Sequence, residues 1–258
     1  MAPPSGSLAL SLENVSVQFG GLRALSDVSF TVSTGEIVGM IGPNGAGKTT
    51  AFNVACGFVK PTSGHVRFPN RERTNLRPNQ LAREGVARTL QGVGLFPHCT
   101  VLENVMAGGQ VRSNGGFFES FFALPNGVRS ERALRSDSLA MLERLGIASM
   151  ATRLPSAIPY GVAKKVSVAR ALMCDPTLLL LDEPASGLDE AELDDFAALI
   201  LELRSSMGVL LVEHDMEFVM PLVDRLVVLN FGEVIASGSP SEVRDNEAVV
   251  AAYLGVDE

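Results

Sequence analysis

One octapeptide, Gly42-Pro43-Asn44-Gly45-Ala46-Gly47-Lys48-Thr49, constrains the architecture of this chain more than any other feature. It fits G-x-x-x-x-G-K-[ST] and stands between a short apolar run, Ile37–Ile41, and a stretch that reads as a helix, Lys48–Phe58. The glycines let backbone N–H groups turn inward with no Cβ in the way, and a helix beginning there adds its positive dipole end. A buried strand, a glycine loop and a helix in this order cradle phosphate groups from Gly42 to Thr50. Lys48 is placed to contact the β- and γ-phosphates of a nucleotide, and the Thr49 hydroxyl to ligate Mg2+. The loop leaves the enzyme class open, because GTPases, kinases and motor ATPases share it. The absence of an N-K-x-D guanine-reading motif counts against a GTPase.

The chain has 258 residues, 46% of them hydrophobic, which is ample for a buried core. Its formal charge of −8 argues against a general affinity for nucleic acid or anionic lipid, so no nucleic-acid partner is expected. No segment approaches the roughly 20 apolar residues of a membrane helix; the strongest run, Leu178–Leu181, stops at Asp182. Residues 1–7, with Pro3, Pro4, Ser5, Gly6 and Ser7, are expected to be a disordered tail without the character of a secretory signal. Cys56, Cys99 and Cys174 are widely spaced with no C-x-x-C pair, and read as reduced, buried thiols.

Short β-rich pieces at Leu8–Leu12, Val15–Phe19 and Val28–Val32, separated by turn formers such as Gly20-Gly21, predict an N-terminal antiparallel sheet. Leu178–Leu181 and Val209–Val212 read as buried strands flanking a helix from about Glu190 to Ser205, with Leu193, Phe196, Ala197 and Ile200 on one face. Strands alternating with helices imply a parallel sheet. Between these halves the pattern turns helical, at Val101–Ala107, Arg129–Leu145 and Ala163–Met173. A hairpin over Arg225–Leu229 and Val234–Ala236 and a closing helix near Ser241–Leu254 complete the reading. The fold class is therefore α/β. A single domain spans about 8–258, with a core at about 8–91 and 174–258 and an inserted helical subdomain at about 92–173.

Two acids, Asp182 and Glu183, follow Leu178–Leu181 at the end of a buried strand, where open α/β sheets bind ligands. Asp182 is placed to hold Mg2+ through water, and Glu183 to orient or deprotonate an attacking water. The alternative is that they cap the following helix. With both motifs in hand, the chain resembles the nucleotide-binding subunits of ABC transporters from about Leu8 to the C-terminus. The resemblance implies a P-loop NTPase (RecA-like) core, with ATP and Mg2+ as cofactors. It also implies that Gln91 is the glutamine that touches Mg2+ and the water, that Ser186-Gly187-Leu188-Asp189 is the D-loop, and that His214 contacts the γ-phosphate. Phe19 matches the aromatic position that stacks on adenine, a core phenylalanine being the alternative. The signature loop departs from the common L-S-G-G-Q: Ile158-Pro159-Tyr160-Gly161-Val162 keeps Gly161 but lacks the serine hydroxyl, which leaves backbone N–H groups and a helix N-terminus to meet the partner's γ-phosphate.

Phe19-Gly20-Gly21-Leu22, Leu95-Phe96-Pro97, Pro159-Tyr160-Gly161 and Glu213-His214-Asp215-Met216 look like the ATPase subunits of branched-chain amino acid importers. Urea and amide importers share much of this wording and stand as the alternative cargo, and a catalytically weak nucleotide-sensing subunit as the alternative role. As such a subunit, the chain would pair with a second, identical or similar ATPase around two ATP molecules. It would act through membrane-spanning permease subunits at the cytoplasmic face of the cell membrane and serve an extracytoplasmic solute-binding protein indirectly. Leu95, Phe96 and Pro97 are the candidates for the coupling surface. The aromatic run Phe117-Phe118-Glu119-Ser120-Phe121-Phe122 is either a second contact surface or ordinary core.

Overall fold

The computed structural model describes residues 6–69, 77–89, 92–110 and 125–254, with the side chains of 125–129 and 254 left aside. Two sheets organise it. The first is antiparallel, in the order β2-β1-β4, from β1 (Leu8–Phe19), β2 (Leu22–Ser33) and β4 (Ser63–Arg67). The second runs β5-β6-β7-β3-β8-β9, from β3 (Ile37–Ile41), β5 (Val86–Arg88), β6 (Leu178–Asp182), β7 (Gly208–Val212), β8 (Arg225–Asn230) and β9 (Glu233–Gly238). All its neighbours pair in parallel except β8 and β9, which form an antiparallel hairpin.

The unbroken apolar runs of β3, β6 and β7 follow from cover on both faces of this sheet. Successive side chains point to opposite faces, so each strand divides between two cores. Ile37, Ile41, Leu179, Leu181, Val209 and Leu211 join the helical side. Val38, Met40, Leu178, Leu180, Leu210 and Val212 pack with Leu10, Leu12, Leu25 and Phe52 on the side of the antiparallel sheet. Phe52 belongs to α1 (Lys48–Ala55), the helix after the glycine loop.

The helical part comprises α2 (Val101–Gly109), α3 (Pro125–Arg144) and α4 (Tyr160–Leu172). A reciprocal capping box starts α2: the Thr100 N–H donates to Glu103 Oε2 at 2.6 Å, and the Glu103 N–H to Thr100 Oγ1 at 3.3 Å. One turn on, buried Asn104 anchors the preceding loop. Its Oδ1 accepts the Phe96 N–H at 2.8 Å, and its Nδ2 donates to the carbonyls of Phe96, Cys99 and Thr100 at 3.2, 3.1 and 3.0 Å. Asn104→Ala strands these backbone groups and is expected to cost about 1–3 kcal/mol, read as a lower urea midpoint; a midpoint equal to the parent's contradicts it. The core is completed by α5 (Glu190–Arg204), α6 (Met216–Leu222), α7 (Pro240–Arg244) and α8 (Glu247–Leu254).

Several sequence expectations change. The pieces Leu8–Leu12 and Val15–Phe19 are one strand with a register irregularity at Leu12/Val15, where Asn14 takes a φ of 52°. The helix expected to reach Phe58 ends at Ala55, since Gly57 adopts a left-handed φ of 69° just beyond it. The closing helix is two, because Asn246 Oδ1 accepts the Ala248 and Val249 N–H groups and so starts α8 afresh. Ser7, assigned to the tail, is tied down: its carbonyl accepts the Thr34 N–H at 2.8 Å. Residues 1–5 and Phe117–Phe122 lie outside the described residues. Cys56 is buried, its thiol pushed up to about 12 chiefly by burial, whereas Cys99 and Cys174 are only half-buried. Among the described residues, no helix is long and apolar enough to cross a membrane.

Candidate nucleotide site

The glycine loop joins the C-terminal end of β3 to the N-terminus of α1 and is gripped by its neighbours. Gly42 has a φ of 151°, and a Cβ there would stand 2.1 Å from the Leu229 carbonyl oxygen. Gly47 has a φ of 101°, and its Cβ would stand 2.8 Å from the Ala24 carbonyl oxygen. Neither position admits another residue. The Gly232 N–H, in the β8–β9 turn, donates to Ala46 O at 2.9 Å. From the C-terminal helix, Tyr253 comes close to the Gly42 backbone; burial pushes the phenol pKa upward, and the Gly42 backbone pulls it down in opposition.

Asn44, Gly45 and Thr49 are exposed along the loop, Pro43, Lys48 and Thr50 half-buried, and Ala46 buried. Lys48 Nζ donates to the Gly42 and Pro43 carbonyls at 2.6 and 2.9 Å. Burial lowers its pKa, and the nearby Glu183 carboxylate raises it in opposition. The two motifs identified separately in the sequence are thus electrostatic neighbours.

At the end of β6, burial first and the Glu183 charge second push the Asp182 carboxyl above its usual range, against the pull of Arg88. Glu183 has a φ of 48°, left-handed for a residue with a Cβ, and its N–H donates to Val212 O at 3.0 Å. Thr89, Lys164, Ser167, Asp182 and Glu183 line a space of about 10 Å3, close to the minimum for one water molecule. Buried Ser167 Oγ has no hydrogen-bond partner among the described residues.

Phe19, at the end of β1, is 52% exposed, which removes the core alternative and leaves a ring face open to solvent. His214 has a 63% exposed side chain beside the buried Glu213, its Nδ1 standing 3.6 Å from Glu213 Oε2. Gln91 lies outside the described residues. Pro159 is the N-cap of α4 and supplies no side-chain cap, while Tyr160 is exposed and its ring lies close to Gly187. Asp189 caps α5, its Oδ1 accepting the Glu192 N–H at 2.9 Å. The Gly161 N–H is not free: it donates to Glu192 Oε1 at 3.2 Å. Phe96 is 52% exposed, with the Arg170 guanidinium 5.6 Å from its ring centre.

Sequence reasoning passed over Arg88, Lys164, Glu192, Glu213 and Tyr253. Arg88 stacks over the Phe52 and Phe58 rings at 5.5 and 4.6 Å and acts electrostatically on Asp182. Lys164 stands beside Lys165 with nothing to distinguish it in the sequence, and Glu213 was legible only as one residue of the Glu213-His214-Asp215-Met216 wording.

Residues 25–186 match the family model described as ABC transporter, and residues 233–258 match the model for the branched-chain amino acid ATP-binding cassette transporter. The high-affinity branched-chain amino acid transport ATP-binding protein BraF of Pseudomonas aeruginosa is 42% identical over 248 residues, 95% of this chain and 97% of that protein. A crystal structure of an ATP-binding cassette of an ABC transporter in its ADP conformation superposes with a TM-score of 0.81 at 31% identity, covering 96% of this chain and 99% of the other. A dimeric post-hydrolysis cassette bound to ADP and phosphate gives 0.74 at 26% identity, covering 90% and 98%. The glycine loop, the acids at the end of β6 and these matches along nearly the whole chain agree, and the chain belongs to the ABC transporter family as an ATP-binding cassette ATPase.

Proposed function

We propose that this ATPase energises the import of branched-chain amino acids, with Glu183 as the base for the attacking water. The observation that carries the cargo is the match of residues 233–258 to the branched-chain amino acid model, in the segment whose Tyr253 reaches Gly42. In this reading the Lys48 ammonium leaves the Gly42 and Pro43 carbonyls for the β- and γ-phosphates of ATP, while the loop N–H groups and the α1 N-terminus hold the remaining phosphate charge. Phe19 offers its exposed face to adenine. Glu183 takes the proton of the attacking water, and His214 and Gln91 contact the γ-phosphate side.

The adjacent carboxylates of Asp182 and Glu183, only partly offset by Arg88, suit a hard divalent cation. Thr49, Asp182 and Gln91 would hold Mg2+, which supplies charge neutralisation at the β- and γ-phosphates. A second ATPase subunit would complete each site through Pro159, Tyr160, Gly161 and Asp189. Permease subunits would dock at the exposed Phe96 on the cytoplasmic face, the solute-binding protein acting from the other side. Binding closes such a dimer and hydrolysis reopens it, because the γ-phosphate is the ligand both halves share.

The test is ATPase activity of the chain with its membrane partners in lipid, with binding protein carrying leucine, isoleucine, valine or urea. Stimulation by the aliphatic amino acids is expected, and stimulation by urea alone overturns the cargo. A second reading, a catalytically weak nucleotide-sensing subunit, is favoured by one feature: Pro159 has no hydroxyl and the Gly161 N–H is engaged by Glu192. Absence of turnover in the complete complex would select it.

A further inference from the structure

Glu183 occupies a left-handed backbone region that is unfavourable for a residue with a Cβ, so its surroundings must hold it there. The two consecutive peptide units between Glu183 and Ala185 are gripped by two buried charges of opposite sign. From α4, Lys164 Nζ donates to the Glu183 carbonyl at 3.1 Å and also to the Pro184 carbonyl. From the end of β7, Glu213 Oε1 accepts the Ala185 N–H at 2.6 Å, and its Oε2 accepts the His214 N–H at 3.1 Å. Lys164 is 5% exposed and Glu213 fully buried.

Burying charge in this way is expensive. A buried ion of either sign carries a desolvation penalty even after relaxation, which its hydrogen-bond partners must offset. Burial lowers the pKa of Lys164 and raises that of Glu213; the Glu213 and Glu183 charges draw Lys164 back toward ionisation, and the Ala185 and His214 N–H groups do the same for Glu213. Stability alone is therefore a poor explanation for this pair. Position is a better one. The carbonyls taken by Lys164 are those a left-handed Glu183 turns toward α4, and the N–H groups taken by Glu213 belong to the following turn and to His214.

We propose that Lys164 and Glu213 are a positioning pair: they hold the Glu183 turn in its left-handed form and tie it, through α4, to the signature loop and, through Glu213, to His214. Neither touches the reacting atoms. The pair connects the two ends of the composite site, since Lys164 lies one turn after Tyr160 and Gly161, which would face the partner's nucleotide. The inference rests on the assignment of Glu183 as the base. A misplacement of about 1 Å in such a group lowers the rate about 100-fold.

The experiment compares the parent complex with Lys164→Met, Lys164→Arg and Glu183→Gln, reading kcat at saturating ATP, equilibrium ATP affinity and melting temperature. Lys164→Met is expected to lower kcat about 10- to 100-fold with ATP affinity unchanged, and Lys164→Arg, which keeps the donor and the charge, to restore most of the rate. A Lys164→Met kcat within twofold of the parent's overturns the proposal, as does a fall in ATP affinity matching the fall in kcat. Should Lys164→Met fail to fold, Glu213→Gln decides: it loses one of the two acceptors, and a parent-like kcat overturns the proposal while a lower kcat at unchanged affinity supports it. Glu183→Gln separates the layers. If it turns over like the parent, the base assignment fails; if it is inactive while Lys164→Met is parent-like, the positioning pair alone fails.

Discussion

Glu183→Gln is expected to slow ATP hydrolysis by about 10²- to 10⁴-fold, the range for loss of a general base, while ATP binding persists. The substitution is conservative where the fold is concerned. The turn is held through main-chain groups, the Glu183 N–H on Val212 O and the Glu183 carbonyl on Lys164, and glutamine keeps both. It removes only the carboxylate that can take a proton and the charge that faces Lys48. Phosphate release from the assembled complex, set beside equilibrium ATP binding by the same preparation, is the measurement. Equal hydrolysis by variant and parent would end the assignment of Glu183 as base.

The largest effect on stability is expected at Phe52. Its ring is fully buried between α1 and the antiparallel sheet, and Phe→Ala at such a site costs about 3–5 kcal/mol. The ring is also one of two that flank the Arg88 guanidinium, whose Nε has no hydrogen-bond partner among the described residues. Truncation would leave that cation resting on Phe58, which is 55% exposed. Urea unfolding of Phe52→Ala should show the loss as a reduced midpoint, and a change under about 1 kcal/mol would mean that the site collapses around the cavity.

The parts of the fold that could be read from sequence are those whose physics is local. Leu178–Leu181 betrays β6 because a strand covered on both faces needs apolar residues at every position. The glycine loop is legible because spacing alone specifies it. β4 is not, since only Val66 of Ser63–Arg67 is buried and the strand owes its place to backbone pairing with β1. β5 has three residues, and α6 carries Pro221 within it, which argues against a helix in any local reading. The same division runs through the site. Asp182 and Glu183 announce themselves at a strand end, but Glu213 acquires its role only when β6 and β7 lie side by side in register, Asp182 opposite Val212, so that the residues that follow each strand meet. Lys164 needs the additional knowledge that α4 lies against that meeting point. No spacing rule reaches across such distances in the chain.

The glycine loop is wedged between the Ala24 and Leu229 carbonyls and bonded to the Gly232 turn, and this bears on where the free energy of ATP binding goes. A loop held this firmly has little entropy left to lose when phosphate arrives, so little binding free energy is consumed in ordering it. The loop acts as a fixed anvil. In the proposed dimer, what ATP contributes would then be left for drawing the signature face of a second cassette toward it, and the mechanical stroke would originate in relative movement of rigid bodies rather than in folding of the nucleotide pocket.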